Sequence, residues 1–271
     1  MSRPESPAAM VINSAVANVY REPAFRSEVV TQAILGEQPQ VLDQHDKWFR
    51  VRQWDGYEGW LYYFYLARNA DYRIEVDSVT VTTAVAPIRA EPAESAPVIR
   101  EAVFGCCLPV LDRREHWVQV VLPDGVTGWL VPTAKPLAGK RREQVIQVAR
   151  QFLGTPYFWG GKTPKGFDCS GLVQTCFKAV GVVLPRDSHR QHVFQELPSV
   201  DPDQARPGDL LFFAESEQRV THVAIATGNS GIIHSSGWVK EESLDPGSSR
   251  YNHLLAGLFL QGRDTSELLD E

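Results

Sequence analysis

The sequence predicts a multidomain chain in which two small all-β barrels precede a larger α+β domain, with boundaries at 1–70, 71–138 and 139–271. Three observations carry this reading. The first half repeats itself, each repeat reads as short alternating strands closed by an Asp-Gly turn, and beyond residue 140 the periodicity becomes helical.

The repeat comes first. A shift of 69 positions pairs Ala17 with Ala86 and runs without a gap to Leu61 with Leu130, with 17 identities among 45 pairs. Matches include Glu22-Pro23-Ala24 with Glu91-Pro92-Ala93, Gly36 with Gly105, Trp48 with Trp117, Asp55-Gly56 with Asp124-Gly125, and Gly59-Trp60-Leu61 with Gly128-Trp129-Leu130. Lys47–Arg52 and His116–Val120 alternate polar and apolar residues, and Asp-Gly supplies a tight turn before the Gly-Trp-Leu strand. A Trp strand, an Asp-Gly turn and a terminal Gly-Trp-Leu resemble bacterial SH3-like (SH3b) domains. Trp48, Trp60, Trp117 and Trp129 read as core residues, because a shared core requires them at equal positions.

Residues 132–139 contain two prolines and read as a linker. A helix follows, with Val145, Val148, Ala149, Phe152 and Leu153 on one stripe and Gly154 and Pro156 to end it. A second helix starts at Cys169, carries Leu172, Val173, Cys176, Phe177 and Val180 on one face, and ends at Gly181. The Gly228-Asn229 turn closes a hairpin that brings His222 and His234 toward one end of a sheet.

Composition narrows the function classes. The 271 residues are 43% hydrophobic and 22% charged with a net charge of −6, which excludes a disordered chain and argues against nucleic acid as a partner. Four cysteines are too few for a disulfide scaffold, and neither their spacing nor that of the histidines suits zinc, so no disulfide, metal or other cofactor is expected. The apolar run Ala8–Ile12 is too short for a signal-peptide core and no segment reaches a membrane span, so no membrane association is expected. The expected location is cytoplasmic, or periplasmic or extracellular if a signal has been removed. The acidic tail after Arg263 reads as a solvated terminus. Oligomeric state is not legible.

One cysteine stands apart. A cysteine taken alone is usually an inert small hydrophobe, and Cys106, Cys107 and Cys176 read that way. Cys169 sits at a helix N-terminus between Asp168 and Ser170, where free N–H groups and the helix dipole favour an anion. A free thiol, with a pKa of roughly 8.5, is only a few per cent thiolate at neutral pH, whereas such a site with a nearby histidine brings it well below 7. A nucleophile needs a base, and the base needs an orienting partner. His222 and His234 are the candidates; His45, His116, His189, His192 and His253 have no partner pattern and read as surface or structural.

Tyr157-Phe158-Trp159-Gly160-Gly161, Asp168-Cys169-Ser170-Gly171-Leu172, Leu184-Pro185-Arg186-Asp187-Ser188, Pro207-Gly208-Asp209-Leu210, Thr221-His222-Val223-Ala224 and Ile233-His234-Ser235-Ser236-Gly237 follow in that order. Over about residues 140 to 263 the chain resembles the NlpC/P60 family of papain-like cysteine peptidases. With the tandem SH3b units it resembles the subgroup of γ-D-glutamyl-L-diamino acid endopeptidases acting on free murein peptides. The resemblance implies Cys169 as nucleophile, His222 as base and His234 as the orienting residue, with the Cys169 N–H as oxyanion donor and Tyr157 as a second candidate there.

Substrate recognition is implied residue by residue. Tyr57, just before the first Gly-Trp-Leu, matches a tyrosine that reaches the substrate in this subgroup, whereas the second repeat has Val126 there. Asp168 and Glu22 are candidates for the free amine of an N-terminal L-Ala, although Glu91 repeats Glu22 in a unit with no expected site. Ser170 and Ser188 are further candidates for the peptide. Arg186 either meets the α-carboxylate of D-Glu or pairs with Asp187. The implied partner is a murein peptide, L-Ala-γ-D-Glu followed by diaminopimelate or Lys, handled in peptide recycling. The alternatives are a wall-remodelling hydrolase or amidase on intact peptidoglycan, and a non-catalytic SH3b wall-binding protein.

Overall fold

The structure, a computed structural model, describes residues 10–72, 77–132, 137–216 and 219–270. The chain forms two compact units that divide between residues 136 and 137. Half of the expected linker, residues 133–136, lies outside the described residues, as does the chain before Met10.

Both repeats fall in the first unit. The first contributes β1 (Met10–Ile12), β2 (Val16–Tyr20), β3 (Val29–Ile34), β4 (Gln40–His45), β5 (Trp48–Arg52), β6 (Glu58–Tyr62) and β7 (Leu66–Arg68). The second contributes β8 (Ser78–Thr80), β9 (Val85–Arg89), β10 (Val98–Val103), β11 (Cys107–Arg114), β12 (Trp117–Val121) and β13 (Thr127–Leu130). The sheet orders β3-β2-β6-β5-β4 and β10-β9-β13-β12-β11-β8 repeat each other strand for strand, apart from the added β8.

The two SH3-like regions are present as expected, and among the described residues each sheet is an open ladder. In each repeat the ladder to the outer strand is broken by a bulge at the same place, between Val41 and Asp43 and between Val110 and Asp112. A bulge leaves one residue unpaired and increases local twist, so the strand bends there. The first-repeat core contains Ala17, Val19, Ala33, Phe49, Val51 and Leu61, and the second holds the paired Ala86, Ile88, Ala102, Val118, Val120 and Leu130. Ile34 and Leu35 of the first repeat pack into the second core, so the repeats share one unit. Trp48, Trp117 and Trp129 are buried as expected, whereas Trp60 is only half-buried. Gly59 is required by close strand approach, since a β-carbon there would lie 2.6 Å from Val19 Cγ1.

The second unit is α+β. Its elements are α1 (Arg141–Gln151), β14 (Lys162–Thr163), β15 (Gly166–Phe167), α2 (Cys169–Lys178), α3 (Ser188–His192), β16 (Ser199–Val200), β17 (Leu210–Ser216), β18 (Arg219–Gly228), β19 (Gly231–Ser236), β20 (Trp238–Ser243), α4 (His253–Leu258), β21 (Phe259–Arg263) and α5 (Ser266–Leu269). An antiparallel sheet in the order β16-β21-β17-β18-β19-β20 receives α2 against β18 and β19. Leu172, Val173, Cys176 and Phe177 are all shut off from water, at about 1.5–3 kcal/mol for each large apolar side chain. In α1, Val145, Val148, Ala149 and Phe152 are buried as the periodicity predicts, but Leu153 falls past the helix end and is exposed.

The tail after Arg263 is clasped, not solvated, which corrects the expectation of a solvated terminus. Arg142 of α1 bonds Asp209 Oδ1 at 2.8 Å and Asp270 Oδ1 at 2.6 Å, and Asp209 also accepts the Thr265 N–H at 3.0 Å. Asp209 is buried, and its ionised carboxylate needs these donors; the side chains of Thr265 and Leu269 are buried with it. All four cysteines are unbridged. Among the described residues no helix is long and apolar enough to cross a membrane, and no group of three or more His, Cys, Asp or Glu is placed to hold a metal.

Candidate active site

The start of α2 is built around Asp168. This residue is the helix N-cap in extended conformation, and its Oδ1 accepts the Gly171 N–H at 2.7 Å. Its Oδ2 accepts the Gly160 N–H at 2.9 Å, while its own N–H donates to the Gly161 carbonyl at 3.0 Å. A β-carbon on Gly171 would collide with that carbonyl oxygen, so the glycine pair of the Gly160-Gly161 loop and Gly171 form one fitted junction. Cys169, the first residue of α2, is thereby held against β18.

Arg186 completes the junction. Its guanidinium meets both Asp168 oxygens, at 3.0 and 2.6 Å, and the Ser170 hydroxyl at 3.0 Å. Neither sequence reading of Arg186 anticipated this partner: its buried ion pair is with Asp168, while Arg190 stands 4.0 Å from Asp187. The fork is only 2% exposed. The consequence extends to two residues singled out as substrate ligands, since Asp168 and Ser170 are buried and their polar atoms hold the helix start.

The histidines stand just past the end of a ladder. Pairing of β18 with β19 runs from Gly228 opposite Gly231 to Ile225 opposite Ile233, and Asn229 and Ser230 turn the hairpin with positive φ. His234 follows Ile233, and His222 lies on the same face of β18, next to a bulge at Thr221 where β17 and β18 shift register. Their rings meet edge to face, with His222 Nε2 2.9 Å from His234 Nδ1. The backbone amides of Val223, beside His222, and of Ser170 draw the Cys169 thiol downward in pKa. The N–H of Cys169 itself engages no other described residue.

Electrostatics differ from expectation at the thiol. Burial, then the Asp168 carboxylate, push Cys169 up to about 12, outweighing the Val223 and Ser170 amides and Arg186. The predicted fall below neutral does not occur here, because the helix start is buried and an acid caps it. His222 is pushed down to about 3, chiefly by burial and then by His234 and Lys240. His234 is also lowered by burial, against the pull of Glu242. The resting pair is thus a neutral thiol and a neutral imidazole.

Sequence reasoning missed what lies behind His234. His234 Nε2 is 2.7 Å from Glu242 Oε2, Asn252 Nδ2 donates to the same oxygen at 2.6 Å, and Lys240 Nζ is 3.3 Å from the other. The signal was available in the hairpin at Gly237, since its register sets His234 opposite Lys240 and puts Glu242 two residues along on the same face.

The remaining candidates are scattered. Tyr157 is anchored by its N–H to the Gly237 carbonyl at 2.8 Å, and its half-buried phenol is raised by burial and then by Cys169 and Asp168, so it is a neutral O–H donor. Ser188 opens α3 half-buried, and its hydroxyl engages no other described residue. Tyr57 and Glu22 belong to the first unit: Tyr57 follows the Asp55-Gly56 turn half-buried, and Glu22 is exposed between β2 and β3.

A cysteine heading a buried helix, packed on an antiparallel sheet whose strands carry a hydrogen-bonded histidine pair, is the arrangement of a papain-like thiol hydrolase. The comparisons make this specific. The NlpC/P60 family matches residues 154–255, and the bacterial dipeptidyl-peptidase Sh3 domain matches 19–62 and 88–134. The chain is 31% identical over 228 residues to the gamma-D-glutamyl-L-lysine dipeptidyl-peptidase of Bacillus cereus, covering 77% of this chain and 68% of that protein. It is 30% identical over 272 residues to dipeptidyl-peptidase 6 of Lysinibacillus sphaericus, covering 91% and 95%. In fold it is similar to the crystal structure of an NlpC/P60 family protein from Bacillus cereus, with a TM-score of 0.78 at 24% identity over 94% of this chain and 99% of that one. The chain belongs to the NlpC/P60 family and is a cysteine peptidase.

Proposed function

We propose that the protein hydrolyses the amide bond between γ-D-Glu and a diamino acid, Lys or diaminopimelate, in murein peptides with a free N-terminal L-Ala, as a step in peptide recycling. The observation that carries the chemistry is the 2.9 Å contact between His222 and His234, with Cys169 at the head of the helix that packs on the strand of His222. The substrate class is supported by similarity to relatives in Bacillus cereus and Bacillus subtilis, both gamma-D-glutamyl-L-lysine dipeptidyl-peptidases.

In this reading the Cys169 thiol transfers its proton to neutral His222 as the sulfur attacks the γ-carbonyl carbon of D-Glu. The oxyanion takes the N–H of Cys169, with the Tyr157 phenol as second donor. His222 returns the proton to the leaving amine of the diamino acid, and a C–N bond breaks to leave a γ-glutamyl thioester. Water then gives a proton to His222 and its oxygen to the acyl carbon, and the thiol is restored. Of the first unit, Tyr57 and Glu22 are assigned to recognition of the free amino end. The contrast between Tyr57 and Val126 supports this, since a purely structural side chain would be shared by both repeats. Ser188, with its hydroxyl uncommitted among the described residues, is assigned to the peptide backbone. A cytoplasmic location follows from the recycling role.

Mass spectrometry of products from L-Ala-γ-D-Glu-L-Lys and its diaminopimelate counterpart, free or N-acetylated, tests the reading. Release of L-Ala-γ-D-Glu from the free peptides alone, lost in Cys169→Ala, is the expected result. Equal turnover of acetylated peptide or intact sacculi overturns the recycling assignment, and sacculus binding without hydrolysis favours a tether. Tyr57→Phe is expected to raise KM for the free peptide, whereas Val126→Ala is expected to leave it unchanged.

A further inference from the structure

We propose that Glu242 is a positioning residue that sets the tautomers of both histidines, leaving His222 Nδ1 as the one ring nitrogen able to take the thiol proton. The inference follows from donor and acceptor roles along a chain of five groups. It starts at α4, where Asn252 caps the helix by accepting the Leu255 N–H on Oδ1 at 3.0 Å. That acceptor role orients the amide, so the group facing Glu242 Oε2 at 2.6 Å is the donor Nδ2. Lys240, a pure donor, faces the other carboxylate oxygen at 3.3 Å.

An ionised carboxylate only accepts, so His234 Nε2, 2.7 Å away, must carry a hydrogen. Burial raises the Glu242 carboxyl, but the Asn252 and His234 hydrogen bonds and the charge of Lys240 outweigh it and hold the group below its ordinary range. A neutral imidazole has one N–H, which leaves a lone pair on His234 Nδ1. The atom 2.9 Å from that lone pair, His222 Nε2, must then be the donor. The lone pair of His222 is thereby placed on Nδ1. The opposite assignment would set a His234 lone pair against the carboxylate. His234 is 1% exposed, so water cannot rescue that arrangement. One carboxylate therefore fixes proton positions across two rings, although it lies two hydrogen bonds from the base.

The test is 15N NMR of histidine-labelled full-length protein near neutral pH, with the two rings assigned from His222→Gln and His234→Gln. Wild type is expected to show Nε2 protonated and Nδ1 bare in both rings. Glu242→Gln can either donate or accept, and is expected to lose that single pattern. The kinetic arm rests on the peptidase reading above: Glu242→Gln should lower kcat about 10- to 100-fold with KM within about twofold, and Glu242→Asp should restore part of it. An Nδ1 hydrogen on either wild-type ring overturns the proposal, and this measurement stands even if the variant fails to fold. A loss of kcat in Glu242→Gln with both tautomers unchanged also overturns it. The NMR arm needs no substrate, so failure to cleave murein peptides would count against the substrate reading and leave this one standing.

Discussion

Arg186 Nη2 lies 2.6 Å from Asp168 Oδ2, and the pair fastens the start of the cysteine helix to the Leu184–Ser188 segment. Both side chains are nearly dry, so each depends on the other to satisfy its charge. The Asp168 carboxylate raises the adjacent thiol, while Arg186 opposes it.

Removing one half of this pair should destabilise the second unit strongly. Arg186→Met leaves a buried carboxylate without its main counterion, at a cost of about 3–5 kcal/mol in urea unfolding. The double variant Arg186→Met/Asp168→Asn should recover part of that loss, because it removes the stranded charge. A cost below about 1 kcal/mol for the single variant would contradict the account.

The raised thiol makes a kinetic prediction. With Cys169 pushed up to about 12, alkylation by iodoacetamide in the substrate-free protein should accelerate about tenfold per pH unit between roughly pH 7 and 10, without a plateau. Peptide mapping separates this site from half-buried Cys107. A plateau near neutral pH would show a preformed thiolate and refute the neutral-thiol resting state.

Folding stability should fall on the acid side of neutrality. His222 drops from 6.5 to about 3 on folding, so in that window the unfolded chain binds the proton and the native one does not. The associated stability is complete above 6.5 and is lost as the pH falls toward 3, by up to about 1.4 kcal/mol per pH unit. His234, also lowered, acts with the same sign. Between pH 5 and 6.5, where carboxylates contribute little, His222→Gln should visibly flatten the dependence of unfolding free energy on pH. An unchanged slope would rule out a buried neutral His222.

The C-terminal clasp should be an energetic feature of the fold and not a frayed end. Asp209→Asn weakens the charge-assisted bond to Arg142 and should cost on the order of 2–4 kcal/mol. Limited proteolysis should then trim the segment around Asp270 faster than in the wild type, as read by mass spectrometry. Equal trimming rates would mean that the Arg142 contacts to Asp264 and Asp270 hold the tail unaided.

Much of this protein is local information. The repeat, the Trp and Gly-Trp-Leu positions, the two helices and the hairpin are all written in spacings of a few residues. Apolar periodicity and turn chemistry act over that same range. Cys169 at the head of α2 and His222 and His234 on the hairpin could be found this way, because helix starts and turns leave signatures in adjacent residues. The roles of Arg186 and Asp209 could not, since each charge is explained by a partner on another element: Asp168 at the head of the cysteine helix, and Arg142 far upstream; for Glu242 the Gly237 hairpin held the link to His234, but not the one to Asn252. Whether the outer strands of a repeat pair with each other likewise depends on tertiary packing, which no single strand reveals. The direction of the thiol pKa was decided the same way. A helix N-terminus lowers it and burial raises it, and only packing determines how far water is excluded.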